Sequence, residues 1–229
     1  MRQTSIFILV LVVGLVWGFG ETFRYYAPHI TAQPPWLNKV AMFNNGDVPA
    51  DFTVIIRDGD GVIQFQDSYT VPGNSSLVLV LPTEGGYVPA AGEVVLSPVE
   101  GSLIVETESE KVRPKAAYRF GDQQSLTEFF LDNQLVWEYI LPNTVESHFD
   151  WTGVALFNPY DIPLTLNLEA YRDGQLQDTK EVEVGPRRKY DNLSFGIWSG
   201  IDYTAFDQVR IRSDLWPFPP PMSITGNDE

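Results

Sequence analysis

The chain of 229 residues has no cysteine, two histidines and three methionines. The missing cysteine removes disulfides, thiolate metal sites, cysteine nucleophiles and lipoprotein acylation together. His29 and His148 leave little scope for imidazole chemistry, and no Gly-x-Ser-x-Gly elbow offers a nucleophile. "GNSS", residues 73–76, reads as a turn. Cations are also scarce: 15 Lys and Arg stand against 30 Asp and Glu, a net charge of −15. Such a surface repels phosphate backbones and anionic headgroups, so nucleic acid is not an expected partner. Convincing amphipathic helical periodicity is missing throughout.

One long apolar run exists, "IFILVLVVGLVWGFG" at residues 6–20, preceded by Arg2. A basic start followed by an apolar core is the shape of a secretory signal. Gly18 and Gly20 form a small-x-small pair before Glu21, a cleavage site for release; the alternative is an uncleaved signal-anchor. Either way the expected location is extracytoplasmic: secreted, periplasmic or on the cell surface. No apolar tail follows "MSITGNDE", so membrane contact is expected only through residues 1–20. Those residues are set aside from the fold.

The rest of the chain says one thing twice. "KVAMFNNGDVP" (39–49) and "GVALFNPYDIP" (153–163) place Phe43 and Phe157, Asn44 and Asn158, Asp47 and Asp161, and Pro49 and Pro163 at one offset, 157 − 43 = 114. Pro28 and Pro142 keep it. Period-two alternation follows in both copies: Phe52, Val54 and Ile56 against Thr53, Ile55 and Arg57, then Leu164, Leu166, Leu168 and Ala170 against Thr165, Asn167, Glu169 and Tyr171. Alternation of this kind marks a strand packed on one face. "RDGDGV" and "YRDGQL" are hairpin turns, after which Val71 and Val184 pair at 113. Leu103/Val209, Val105/Ile211 and Pro114/Pro220 pair at 106, and "KAAYRF" and "PMSITG" close the copies as last strands. Each copy holds about seven short strands with frequent turns, the pattern of an antiparallel sandwich.

These residues predict an all-β protein of two tandem sandwiches, residues 25–122 and 138–229, joined by a connector over 123–137 that contains "SLTEFFLDNQLVW". Phe43 and Phe157 are expected to be buried at corresponding positions. Trp151, Thr152, Gly153, Val154, Ala155, Leu156, Asn158, Pro159, Asp161 and Pro163, followed by "LTLNLEAYRDGQ", resemble the immunoglobulin-like repeat modules of secreted bacterial surface proteins. The resemblance covers most of residues 139–228. In the first copy Lys39 stands for the glycine, and Asn45-Gly46 for Pro-Tyr. It implies an immunoglobulin-like fold and leaves function open, since such modules serve as spacers and as binding units.

The chemical candidates are few. "DGDG" at 58–61 lacks the further oxygens and distal Glu of a calcium loop and is a hairpin turn, because Val62 and Ile63 come next. "ETESE" at 106–110 is a charged strand end. No metal, cofactor or catalytic group is expected. The most informative difference between the copies is a loop: "ESEKVRP" in the first becomes "DLWPFPP" in the second. Trp216 and Phe218, flanked by rigid prolines, are candidates for a partner surface, with packing back onto the chain as the alternative. In "SFGIWSGIDYTAF", residues 194–206, Phe195, Ile197, Trp198 and Phe206 are expected to plug the sandwich end. The leading reading is a non-enzymatic binding or structural module of an envelope or extracellular assembly, with a protein or a surface polysaccharide as partner. The alternatives are a carbohydrate-binding accessory protein using Trp198, Trp216 and Phe218, and an enzyme of unrecognised type.

Overall fold

The computed structural model describes residues 21–31, 36–81, 89–96, 99–120, 126–142, 150–198 and 202–227. They form an all-β protein. The first half contributes β1 (Phe23–Ile30), β2 (Trp36–Asn44), β3 (Ala50–Arg57), β4 (Ile63–Val71), β5 (Ser75–Leu81), β6 (Glu93–Val95), β7 (Gly101–Thr107), β8 (Val112–Phe120) and β9 (Leu126–Phe130). The second contributes β10 (Glu138–Pro142), β11 (Asp150–Phe157), β12 (Leu164–Arg172), β13 (Gln175–Val184), β14 (Lys189–Leu193), a helical turn α1 (Ser194–Ile197), β15 (Gln208–Arg212) and β16 (Met222–Asn227).

The strands make four sheets, and among the described residues none draws strands from both halves. The orders are β1-β7-β3-β4 and β6-β5-β2-β8-β9 in the first half, β10-β15-β12-β13 and β14-β11-β16 in the second. All named strand pairs are antiparallel except β5 with β6. The orders repeat, and so does the register. Tyr25 faces Val105 as Tyr139 faces Ile211. Val54 faces Val105 as Leu168 faces Ile211. Ala50 faces Val71 as Leu164 faces Val184.

Period-two alternation decides what each sheet buries. Phe52, Val54 and Ile56 of β3 pack with Leu103 and Val105 of β7 and with Val40 and Met42 of β2 in one core. Leu164, Leu166 and Leu168 pack with Leu156, Ile211, Trp198 and Phe218 in another. The second copy's hairpin turn is Asp173-Gly174, with φ of 49° and 74°. Both are left-handed, which matches the twist of the flanking strands and suits Asp-Gly.

The repeated phrase places one asparagine in one structural role twice. Asn44 is buried, and its Nδ2 donates to the carbonyls of Val48, Val71 and Pro72. Asn158 is buried likewise and donates to Ile162, Val184 and Gly185. Each side-chain oxygen accepts from the N–H two residues on, Gly46 or Tyr160. The asparagine thus stitches the turn after its own strand to the end of a distant strand, with one of its three bonds, to Val71 or Val184, buried. The facing turns match too: Asn74 donates to Gly46 and Arg187 to Tyr160, with left-handed φ of 52° and 58°.

Two expectations need correction. The segment 126–130 is no free connector. It is β9, paired with β8 from Arg119↔Leu126 to Lys115↔Phe130, and Leu131 after it is buried in the first core. Phe43 and Phe157 do occupy equivalent register positions, but they do not share burial. Met42 and Leu156, their chain neighbours, point into the two cores, so both phenylalanines point outward. Phe43 is half-buried there, whereas Phe157 is only 1% exposed.

Candidate functional site

Phe157 is covered by the first half. It packs with Ile55, Ile104 and Tyr26, which lie on the outer face of β3, β7 and β1. The Tyr26 and Phe157 rings stand 6.0 Å apart. Ala155 and Met222, paired across β11 and β16 on the same outer face, join the first half's core cluster. The two halves therefore meet through an apolar seam.

A polar cluster flanks the seam. Lys189 on β14 shares the outer face with Phe157, its cross-strand partner. Its ammonium lies 3.2 Å from His29 Nδ1, 3.2 Å from Glu100 Oε1 and 3.1 Å from Asp191 Oδ2. The Lys189 side chain is 5% exposed. Burial first, then the neighbouring Lys189 charge, holds the His29 pKa below its ordinary value, against the opposing pull of Asp191 and Glu100. The ring is therefore neutral at pH 7, and Nδ1 accepts from the ammonium. Further along, Arg188 reaches Asp60 at 3.3 Å. Gly61, at φ +82°, lets the two halves approach: a Cβ there would stand 2.9 Å from the Arg187 carbonyl oxygen. Arg187 in turn grips Asp161 through two bonds of 2.7 and 2.9 Å, which lowers the Asp161 pKa.

His29, Glu100 and Asp191 offer ligand atoms within 4.8 Å of one another, a spacing a divalent cation can bridge. The Lys189 ammonium already stands within hydrogen-bond reach of all three. A metal ion would have to displace it, so the group is arranged around an internal cation.

The three aromatic candidates separate. Phe218 is fully buried in the second core, with its backbone exchanging two 2.8 Å bonds with Val136. Trp198 is fully buried as well, edge-on to Phe206 at 5.4 Å. With Ile197 these rings belong to the second core; the Phe195 side chain lies outside the described residues. Phe218 and Trp198 therefore offer no surface to a partner, because each fills its own core. Trp216 differs: it is 45% exposed, its ring 5.6 Å from that of Tyr160, whose hydroxyl donates to Pro217 O at 2.6 Å. Leu215 (72% exposed) precedes it in the chain, and the carbonyl of Trp137 (54% exposed) accepts from Ser213 N–H at 3.0 Å.

Residues 58–61 form the expected turn, with Asp58 Oδ1 accepting from Asp60 N and Val62 N. His148 lies outside the described residues. Among the described residues no helix is long and apolar enough to cross a membrane. Sequence reasoning missed the seam. Its trace was Ile55, an apolar residue on the outer face between Thr53 and Arg57, repeated by Ile104 on the neighbouring strand. No protein-family model matches the chain, and no curated protein is significantly similar to it.

Proposed function

We propose that the chain is a non-enzymatic, exported module of the cell envelope or extracellular space, built as two joined sandwiches that present the Trp216 end to a protein partner. The seam carries this reading. Phe157 and Lys189 are spent on holding the halves together, and the cluster of His29, Glu100 and Asp191 is arranged around Lys189 rather than around an open site. The exposed Trp137, Leu215 and Trp216 supply aromatic and apolar surface of the type that anchors interfaces. Export rests on the apolar run behind Arg2.

The test is fractionation of the native cells, followed by native-size analysis of the wild type and a Trp216→Ser variant. The expected result is extracytoplasmic protein in a protein-containing complex larger than the 25.8 kDa chain, and loss of that complex in the variant. Retention in the cytoplasm sinks the export reading. A complex indifferent to Trp216→Ser removes this surface. Binding of the wild type to purified polysaccharide, lost in the variant, would favour the carbohydrate-binding alternative, for which the exposed Trp216 and Trp137 also speak.

A further inference from the structure

The polar cluster beside the seam is shared between the halves. His29, near the end of β1, and Glu100, just before β7, come from the first half; Lys189 and Asp191 stand on β14 in the second. An ammonium group can only donate hydrogen bonds. The 3.2 Å contact of Lys189 Nζ with His29 Nδ1 therefore lasts only while that nitrogen keeps its lone pair. A proton on Nδ1 turns the acceptor into a donor aimed at a donor and sets two cations side by side. Both side chains are held away from water, Lys189 at 5% exposure and His29 at 20%. Asp191 Oδ2 lies 3.6 Å from Nδ1, but it is already engaged by Lys189 at 3.1 Å.

Few other charges face the ring. Strand β1 packs on β7, β11, β14 and β16. From β14 come Lys189 and Asp191, and from the residue before β7 comes Glu100. The charge on β7 itself, Glu106, is paired with Arg24 of β1 at 2.7 Å. Strand β11 carries only Asp150, seven residues from Phe157, and β16 carries no charge. The one cation against His29 thus belongs to the other half. Parting the halves takes that charge away from the ring and lets water reach it.

We infer that the seam is a proton-sensitive joint: uptake of one proton at His29 Nδ1 parts the halves and uncovers Phe157, Tyr26, Ile55 and Ile104. The sign follows from linkage. Burial and the Lys189 charge weaken the ring's hold on its proton while the halves are joined, so the parted state binds the proton more tightly and acid favours it. The joined state is fully favoured above about pH 6.5, the ordinary histidine value, and loses ground as pH falls towards the ring's lower value in the joined state. A tenfold tighter hold on the proton after parting lets acid raise the ratio of parted to joined molecules about tenfold. The inference is independent of the export reading and of Trp216.

The cysteine-free chain allows a clean test. Spin labels are attached to the full chain, in mild detergent, at Glu108→Cys in the first half and Gln177→Cys in the second, both exposed positions. Pulsed electron paramagnetic resonance reads the distance between them at pH 7.5 and 5.5. The expected result is one narrow distance at pH 7.5 and a second, broader population that grows severalfold at pH 5.5. Its midpoint should coincide with the titration of the His29 ring, followed by NMR in the same chain, where His148 is the only other imidazole. His29→Gln, whose side-chain oxygen still accepts from Lys189 but takes up no proton, should abolish the acid response; a thermal melt confirms that it is folded. The NMR midpoint needs no substitution at His29 and decides the matter if that variant does not fold. Distances unchanged by acid, a parting that does not track the His29 ring, or an acid response that survives in folded His29→Gln overturns the inference.

Discussion

Replacing Phe157 and Phe43 by alanine, one at a time, compares two residues with one sequence context and two different fates. Phe157 is enclosed by Tyr26, Ile55 and Ile104 from the other half, and Phe43 is half-buried on an outer face. Truncating a well-packed phenylalanine costs about 3–5 kcal/mol through lost transfer energy and the cavity left behind. Partial burial of Phe43 is worth about 1 kcal/mol on the scale of full side-chain burial. For a chain of this size the Phe157 cost corresponds to a Tm lower by about 6–20 °C, against about 2–4 °C for Phe43. Scanning calorimetry and urea titration read both. Because the lost contacts join two halves, Phe157→Ala should also broaden or split the calorimetric transition. A Tyr26→Ala, Phe157→Ala cycle should show coupling of about 0.5–3 kcal/mol, whereas Tyr26 and Phe43 should be additive. Equal costs for the two phenylalanines, or no coupling of Tyr26 to Phe157, would refute the seam.

Asn44→Ala and Asn158→Ala should each destabilise by about 2–4 kcal/mol in urea titrations, since each leaves three carbonyls without their donor, with water recovering part of the loss; costs under about 1 kcal/mol would remove the asparagine from its stitching role. The lowered His29 pKa makes the unfolded chain bind more protons than the folded one below about pH 6.5. That contribution to stability is complete above pH 6.5 and is lost as pH falls towards the folded pKa; His29→Gln should flatten this part of the stability–pH curve. Phe218→Ser should cost about 3–5 kcal/mol and Trp216→Ser under about 1 kcal/mol by thermal melts, the difference between a core ring and a surface ring.

Strand content and repetition were legible because alternation is local: Phe52, Val54 and Ile56 announce their buried face without any knowledge of the partner sheet. The offsets of 114, 113 and 106 carried through to matching registers because the changes in length fall between the paired stretches of β3 and β7 and of β12 and β15. The seam was not legible in the same way. Phe157 looks like a core residue in its own strand, and only the placement of the other half shows that its ring is buried against a neighbour. Lys189 reads as an ordinary edge charge until His29 and Glu100 arrive from strands and loops far away in sequence. Strand β9 was missed because "LTEFF" shows no period-two alternation and reads as a linker. Phe218 and Trp216 sit two residues apart in one proline-rich loop, and nothing in that loop's composition separates the ring that enters the core from the ring left outside.

One repeated phrase recurs in two sets of sheets, and the seam of Phe157, Tyr26, Ile55 and Ile104 joins the two halves. Residual dipolar couplings of backbone amides in weakly aligned protein test it most directly. Couplings from residues 23–130 and 138–227 should fit one alignment tensor with a common orientation and magnitude. Two tensors of different magnitude, one for each half, would show the halves moving independently and would contradict a rigid seam.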